Sequence, residues 1–126
     1  MPILCVDIIV NYDNKYILLK RNQDPLKGIW WPPGGRVLIG EKLETAAKRK
    51  LREELNIVDA EGLKLIGLYE DFFEQSEFSN HQYHTVSAVF SLNISQTSKL
   101  KIDDTSERWG IIESLPERLL KNLSYL

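Results

Sequence analysis

The sequence has only one cysteine, Cys5, so no disulfide can close within the chain, and its place in the apolar run ILCVDIIV predicts a buried structural thiol. It has no 18-residue apolar run, and no charged segment leading into a short apolar core. Those absences argue against a membrane span and a signal peptide and make the cytoplasm the expected location. Basic charge is not in excess: 16 Lys and Arg against 18 Asp and Glu leave a formal charge of −2, without the basic stripe that nucleic acid requires. A phosphate-bearing substrate would then be handled by local arginines and a metal. Repeats, low-complexity tracts and linkers are missing too, and 126 residues with 43% hydrophobic content suit a single domain, 1–126, better than two.

What is present centres on residues 34–57, GGRVLIGEKLETAAKRKLREELNI. Paired glycines let backbone approach a charged ligand, and the helix that follows ends in adjacent carboxylates, Glu53 and Glu54, which offer hard oxygen ligands to a divalent cation. The spacing predicts a helix over 42–55, with Leu43, Ala47, Leu51 and Leu55 on one apolar stripe. Glu54 falls inside that stripe, and Glu53 at its edge beside Arg49. A buried carboxylate is costly unless it is paired or metal-bound, so Glu54 demands a cation. The plainer alternative is an i, i+4 ion pair from Lys50 to Glu54, with Lys first, the weaker order.

Around this stretch, residues 3–11 read as a strand, 12–15 as a tight turn and YILLK as the returning strand. Leu4, Val6, Ile8 and Val10 share one face; Ile3, Cys5, Asp7, Ile9 and Asn11 share the other. Asp7 in that apolar strand is either an acid held by a neighbouring donor or a pocket acid. Residues 21–28 read as a loop broken by Pro25 and Gly28. Trp30-Trp31-Pro32-Pro33 is a stiff approach to the glycines, and its tryptophans either both enter the core or leave one to reach a substrate. Strand-like content returns over 63–74, then a loop over 75–80, and 84–94 alternates with Val86, Ala88, Phe90, Leu92 and Ile94 on one side. His84 is expected to cap that strand near the pocket mouth and His81 to be exposed. An acidic cluster, Asp103, Asp104 and Glu107, precedes a short strand over 108–112, and SLPE at Ser114 predicts a capping box and a helix to about Leu123. Strands, helix, strands, helix suggest a mixed sheet with helices packed on it.

Gly35, Glu41, Arg49, Leu51, Glu53, Glu54 and Ile57, at these spacings, resemble the signature box of Nudix hydrolases. The resemblance implies an α/β/α sandwich with a mixed sheet between helices, and hydrolysis of a nucleoside diphosphate linked to another group, X, dependent on Mg²⁺ or Mn²⁺. Two positions depart from the box: Lys50 stands where the family usually has glutamate, and Asn56 where it has glycine. Asparagine tolerates a left-handed helix end, whereas an ammonium beside Glu54 repels a cation.

The branch that also lacks this glutamate, GDP-mannose mannosyl hydrolase, attacks the sugar carbon, and the likeness extends to VDIIV, LKR, GIWWPPGGRV, EDFFEQSEF and His84. By that resemblance Asp7, Arg21 and Arg36 would sit against the departing nucleoside diphosphate; of the two tryptophans, Trp30 is the candidate for reaching the substrate. Gly34 (through its carbonyl), Glu53, Glu54 and Asp103 would hold metal, Glu53 and Arg36 would also serve catalysis, and Asp104 or Glu107 would activate water in place of the branch's histidine. A homodimer is implied by the branch alone. Besides a nucleotide-sugar hydrolase such as one for GDP-mannose, two readings stay open. One is a pyrophosphatase attacking phosphorus in nucleoside triphosphates or ADP-ribose, and the other is a silent nucleotide-binding module in which Lys50 replaces the cation.

Overall fold

Asp13 and Asn14 both adopt positive φ, 50° and 62°, the conformation a two-residue hairpin turn needs to match strand twist. They join β1 (Ile3–Tyr12) to β2 (Lys15–Arg21) in the register Tyr12 to Lys15, Asn11 to Tyr16 and Val10 to Ile17. A computed structural model describes residues 1–23, 26–73 and 83–125. Past Ile17 the two strands part. β3 (Trp30–Trp31) pairs with β2 at Leu19 and Lys20, and β4 (Gly34–Arg36) pairs with β1 at Cys5, Val6 and Asp7. The Pro32-Pro33 corner bridges the fork, with the Ile8 N–H donating to the Pro33 carbonyl at 2.9 Å.

The chain then runs through α1 (Leu43–Leu55), β5 (Lys64–Phe73), β6 (Tyr83–Asn93), β7 (Ser106–Ile112), α2 (Glu117–Asn122) and β8 (Leu123–Tyr125). Among the described residues the sheet has the order β3-β2-β1-β6-β5-β8, with β4 on β1 and β7 on β2. It is mixed, because β1 and β6 run parallel from Ile3/Thr85 to Asn11/Asn93 while the other pairs are antiparallel.

Strand alternation gives each face its own core. Val6, Ile8, Val10, Ala88, Phe90 and Leu92 meet Ala46, Ala47, Leu51 and Leu55 of α1. Ile9, Tyr69, Val89 and Trp31 meet Leu119 of α2. The result is the expected α/β/α sandwich. Helix α1 ends where Asn56 turns left-handed at φ 59°, its N–H and that of Ile57 donating to the Arg52 and Leu51 carbonyls at 3.1 Å.

One expectation at the C-terminal side is corrected, while the helix ends near Leu123 as expected. The capping box at Ser114 does not form: α2 starts at Glu117, with Pro116 as its N-cap and no side-chain cap. Proline disfavours helix in the residue before it, so Leu115 stays outside, and the Pro116 carbonyl instead receives the Leu119 and Leu120 N–H groups at 3.1 Å. The helix gives way to β8 at Leu123, a three-residue strand too short to leave an alternating pattern. The loop expected over 75–80 and the exposed His81 lie outside the described residues.

Candidate active site

The turn from β4 into α1 is organised by one guanidinium. Arg49 donates two hydrogen bonds to Glu41 (2.8 and 3.0 Å), one to Glu53 (3.0 Å) and one to the Arg36 carbonyl (3.0 Å), while Glu41 also accepts the Leu38 N–H at 3.0 Å. The bidentate pair with Arg49 holds the Glu41 carboxyl far below the usual range, at about 2. Gly40, at φ 82°, supplies the turn's left-handed residue. Leu51 and Ile57 are core. Glu41 and Arg49 thus shape the loop, whereas Gly35 and Glu54 line a cavity.

Glu54 is 7% exposed. Its Oε1 accepts the Gly34 N–H at 2.7 Å, and its Oε2 lies 3.3 Å from the Thr105 hydroxyl. The same hydroxyl is 2.5 Å from Asp103 Oδ1, which also accepts the Thr105 N–H at 3.0 Å. One hydroxyl has one proton, and the shorter contact to Asp103 takes it. Burial pushes the Glu54 carboxyl up, Lys50 and the Gly34 N–H pull it back, and Asp103 pushes it up again. Two carboxylates converging on one hydroxyl in a desolvated place favour a cation between them.

Among the described residues no three His, Cys, Asp or Glu side chains gather into a ready-made metal cluster. Magnesium does not require one: it keeps several waters and is held by one or two carboxylates with substrate phosphates. Glu54 and Asp103 fit that donor set.

Glu53 is different. It is 42% exposed, tied to Arg49 and, at 3.6 Å, to Lys50, and the Arg49 hydrogen bond leads in lowering its carboxyl. The ion pair expected from Lys50 therefore goes, among the described residues, to Glu53 at i, i+3.

Beside Glu54 the fork in the sheet opens a cavity of about 310 Å³, on the α2 side of β1. Gly34, Gly35, Arg36, Arg21 and Glu54 line it together with Trp31, Tyr69, Asp71 and Phe73. Asp7 is in its wall, 7% exposed, hydrogen-bonded by Ser87 and Trp31, and burial raises its pKa to about 7 despite those bonds. Cys5, expected to be buried, is half-buried in the same wall, and burial followed by the Asp7 charge raises its thiol to about 11.

Asp7, Arg21, Arg36, Gly34, Gly35 and Glu54 are thus brought together, with Asp103 next to Glu54. Trp30, Glu53, Asp103, Asp104 and Glu107 are not among the lining residues. Trp30 lies under the Arg108 guanidinium, 5.4 Å away, and Trp31 is the tryptophan in the cavity. The Asp104 carbonyl accepts from Asn22 at 2.9 Å, and Glu107 pairs with Lys20 at 3.8 Å. His84 stacks on Phe72 and lies 3.0 Å from Glu70, away from the cavity lining.

The sequence did not single out Thr105, Ser87 or the group formed by Tyr69, Asp71 and Arg118. Arg118 donates to both Asp71 oxygens at 2.7 and 2.8 Å, and the Tyr69 hydroxyl donates to the same carboxylate. An acid at the same-face spacing between Tyr69 and Phe73 was the available signal. Its partner lies 47 residues away and had none.

The chain matches the NUDIX domain family over residues 1–124. It belongs to that family. An ADP-ribose pyrophosphatase of Methanocaldococcus jannaschii is 34% identical over 106 residues, 84% of this Nudix chain and 59% of the relative. The chain therefore spans somewhat over half the length of that protein. The low-salt glycan biosynthesis protein Agl8 of Haloferax volcanii is 28% identical over 114 residues, covering 90% of the chain and 72% of the relative. Among solved structures, the NUDIX domain of Shewanella oneidensis NrtR, complexed with ADP ribose, superposes with a TM-score of 0.76 at 19% identity over 96% of this chain and 83% of that one. At that identity it bears on the fold alone.

Proposed function

We propose that this Nudix domain hydrolyses a nucleoside diphosphate linked to a sugar, using Mg²⁺ or Mn²⁺. The observation that carries the reading is the cavity in the fork, where a buried carboxylate and two arginines meet an aromatic wall. ADP-ribose is the first candidate, because the 34% identical relative bears the name ADP-ribose pyrophosphatase. GDP-mannose is the second, from the sequence likeness to its hydrolases.

Arg21 and Arg36 would neutralise the diphosphate, and Trp31, Tyr69 and Phe73 would face the rest of the substrate. Glu54 and Asp103, with the Gly34 carbonyl, would hold the metal, which when bound polarises the bond to be broken and stabilises the leaving charge. Asp7, with a pKa of about 7, is suited to holding or passing a proton near neutrality. We adopt attack at phosphorus, because Asp104 and Glu107, the bases required for attack at carbon, stand outside the cavity lining. Lys50 favours carbon attack as the second reading, since it occupies the place of a family carboxylate.

Hydrolysis in ¹⁸O-water across ADP-ribose, GDP-mannose and nucleoside triphosphates tests the proposal. Label in the phosphate product of a nucleotide sugar is expected, and label in the free sugar would establish carbon attack. Tight nucleotide-sugar binding without Mg²⁺ by calorimetry, and no turnover with it, would replace the proposal with a silent binding module. Glu54→Gln should abolish metal-dependent turnover; an unchanged rate would refute its role as ligand.

A further inference from the structure

Glu53 and Glu54 are neighbours in sequence with opposite electrostatic surroundings. The contacts of Glu54 are neutral: the Gly34 N–H donates to it at 2.7 Å, and the Thr105 hydroxyl, whose proton goes to Asp103, lies 3.3 Å away. Those of Glu53 are cationic: the Arg49 guanidinium at 3.0 Å on one oxygen and the Lys50 ammonium at 3.6 Å on the other. The charge of Glu53 is paired by two cations before any metal arrives, whereas among the described residues no cation stands within ion-pair distance of Glu54, which feels Lys50 only through space.

Lys50 is not a loose surface lysine. Its side chain is 16% exposed and lies across Gly35 so closely that a Cβ there would stand 2.8 Å from its Cε, 3.2 Å from its Cδ and 3.3 Å from its Nζ. The absence of a side chain at Gly35 is what lets the stem lie there, and the stem aims the ammonium at Glu53. With a Mg–O distance of about 2.1 Å, an ion on Glu53 Oε2 would be no more than about 6 Å from that ammonium. This is inside the Debye length of about 8 Å, so salt would screen the repulsion only in part.

We infer that Lys50 is a tethered cation that limits this site to one divalent ion, by occupying Glu53 and leaving Glu54, with Asp103, to hold the metal. The inference rests on the metal-dependent reading above and assigns a role within it. A second ion on Glu53 would have to displace Lys50, and the packing of its stem over Gly35 opposes that. Lys50 is a positioning residue here: it acts on Glu53 and on ion count.

Mn²⁺ titration of the whole chain without nucleotide, followed by calorimetry and by the electron paramagnetic resonance signal of free Mn²⁺, reads the stoichiometry directly. The wild type should bind one ion, with any second at least 100-fold weaker. Lys50→Glu should bind two, and Lys50→Met, which keeps an unbranched stem over Gly35, should tighten the second ion at least tenfold. Thermal melts would confirm that both variants are folded. Two ions of similar affinity in the wild type, or unchanged binding in both variants, would overturn the inference alone. A wild type that binds no Mn²⁺ would overturn it together with the metal-dependent reading beneath it.

Discussion

A carboxyl group that loses its water on folding keeps its proton to higher pH, and Asp7 is the case here, raised from 3.8 to about 7. Unfolded, it ionises near 4; folded, it stays protonated to about 7. Between those values the native state binds more protons than the unfolded state, so this residue makes stability fall as pH rises. Asp7→Asn should remove that contribution. Urea midpoints measured from pH 4 to 8 should show the wild type losing ground to the variant through the window, and parallel curves would show that Asp7 is ionised throughout. The oddity of an acid in an apolar strand was legible in the sequence. Its hydrogen-bond donors were not, because Ser87 and Trp31 reach it from β6 and β3.

The two glycines of β4 show how an element constrains adjacent residues differently. A Cβ on Gly34 would be 2.2 Å from the Val6 carbonyl oxygen and 2.6 Å from Asp7 Oδ1, so β4 could not keep its register on β1. One on Gly35 meets chiefly the flexible end of Lys50. Gly34→Ala should therefore cost about 3 kcal/mol and Gly35→Ala less than about 1 kcal/mol by denaturant unfolding, with the second loosening Lys50 from Glu53. Equal losses would contradict this account of the fork. Helix α1 and strands β1, β2, β5 and β6 were readable because each repeats its period several times. The start of α2, β3 and β8 were not, since two or three residues carry no period and a proline rule overrode a capping motif.

Across the whole molecule, α1 is held by apolar burial, whereas α2 has only Leu119 fully buried and is fastened by Arg118 to the buried Asp71 on β5. Removing one partner of such a pair leaves a desolvated charge behind. Arg118→Met should destabilise the domain by about 3 kcal/mol, less than a fully enclosed pair, because a third of the Arg118 side chain is exposed. Thermal unfolding measures the loss. It should be accompanied by a weaker KM for substrate, since Tyr69 and Asp71 line the cavity, and a change below about 0.5 kcal/mol would show that α2 is held otherwise.

By itself the sequence determined the alternation that makes each strand two-faced, the stripe that buries Glu54, and the spacing that binds Glu41, Arg49 and Glu53 into one box. These are short-range periodicities, and 3.6 residues per helical turn or two per strand repeat suffices to express them. Only the tertiary structure decided which tryptophan enters the cavity, that Thr105 joins Glu54 to Asp103, that Arg118 finds Asp71, and that Lys50 turns to Glu53. The first three depend on strands, helices and loops distant in sequence meeting, and the last on a stem packing over a glycine 15 positions earlier, contacts that no local repeat encodes.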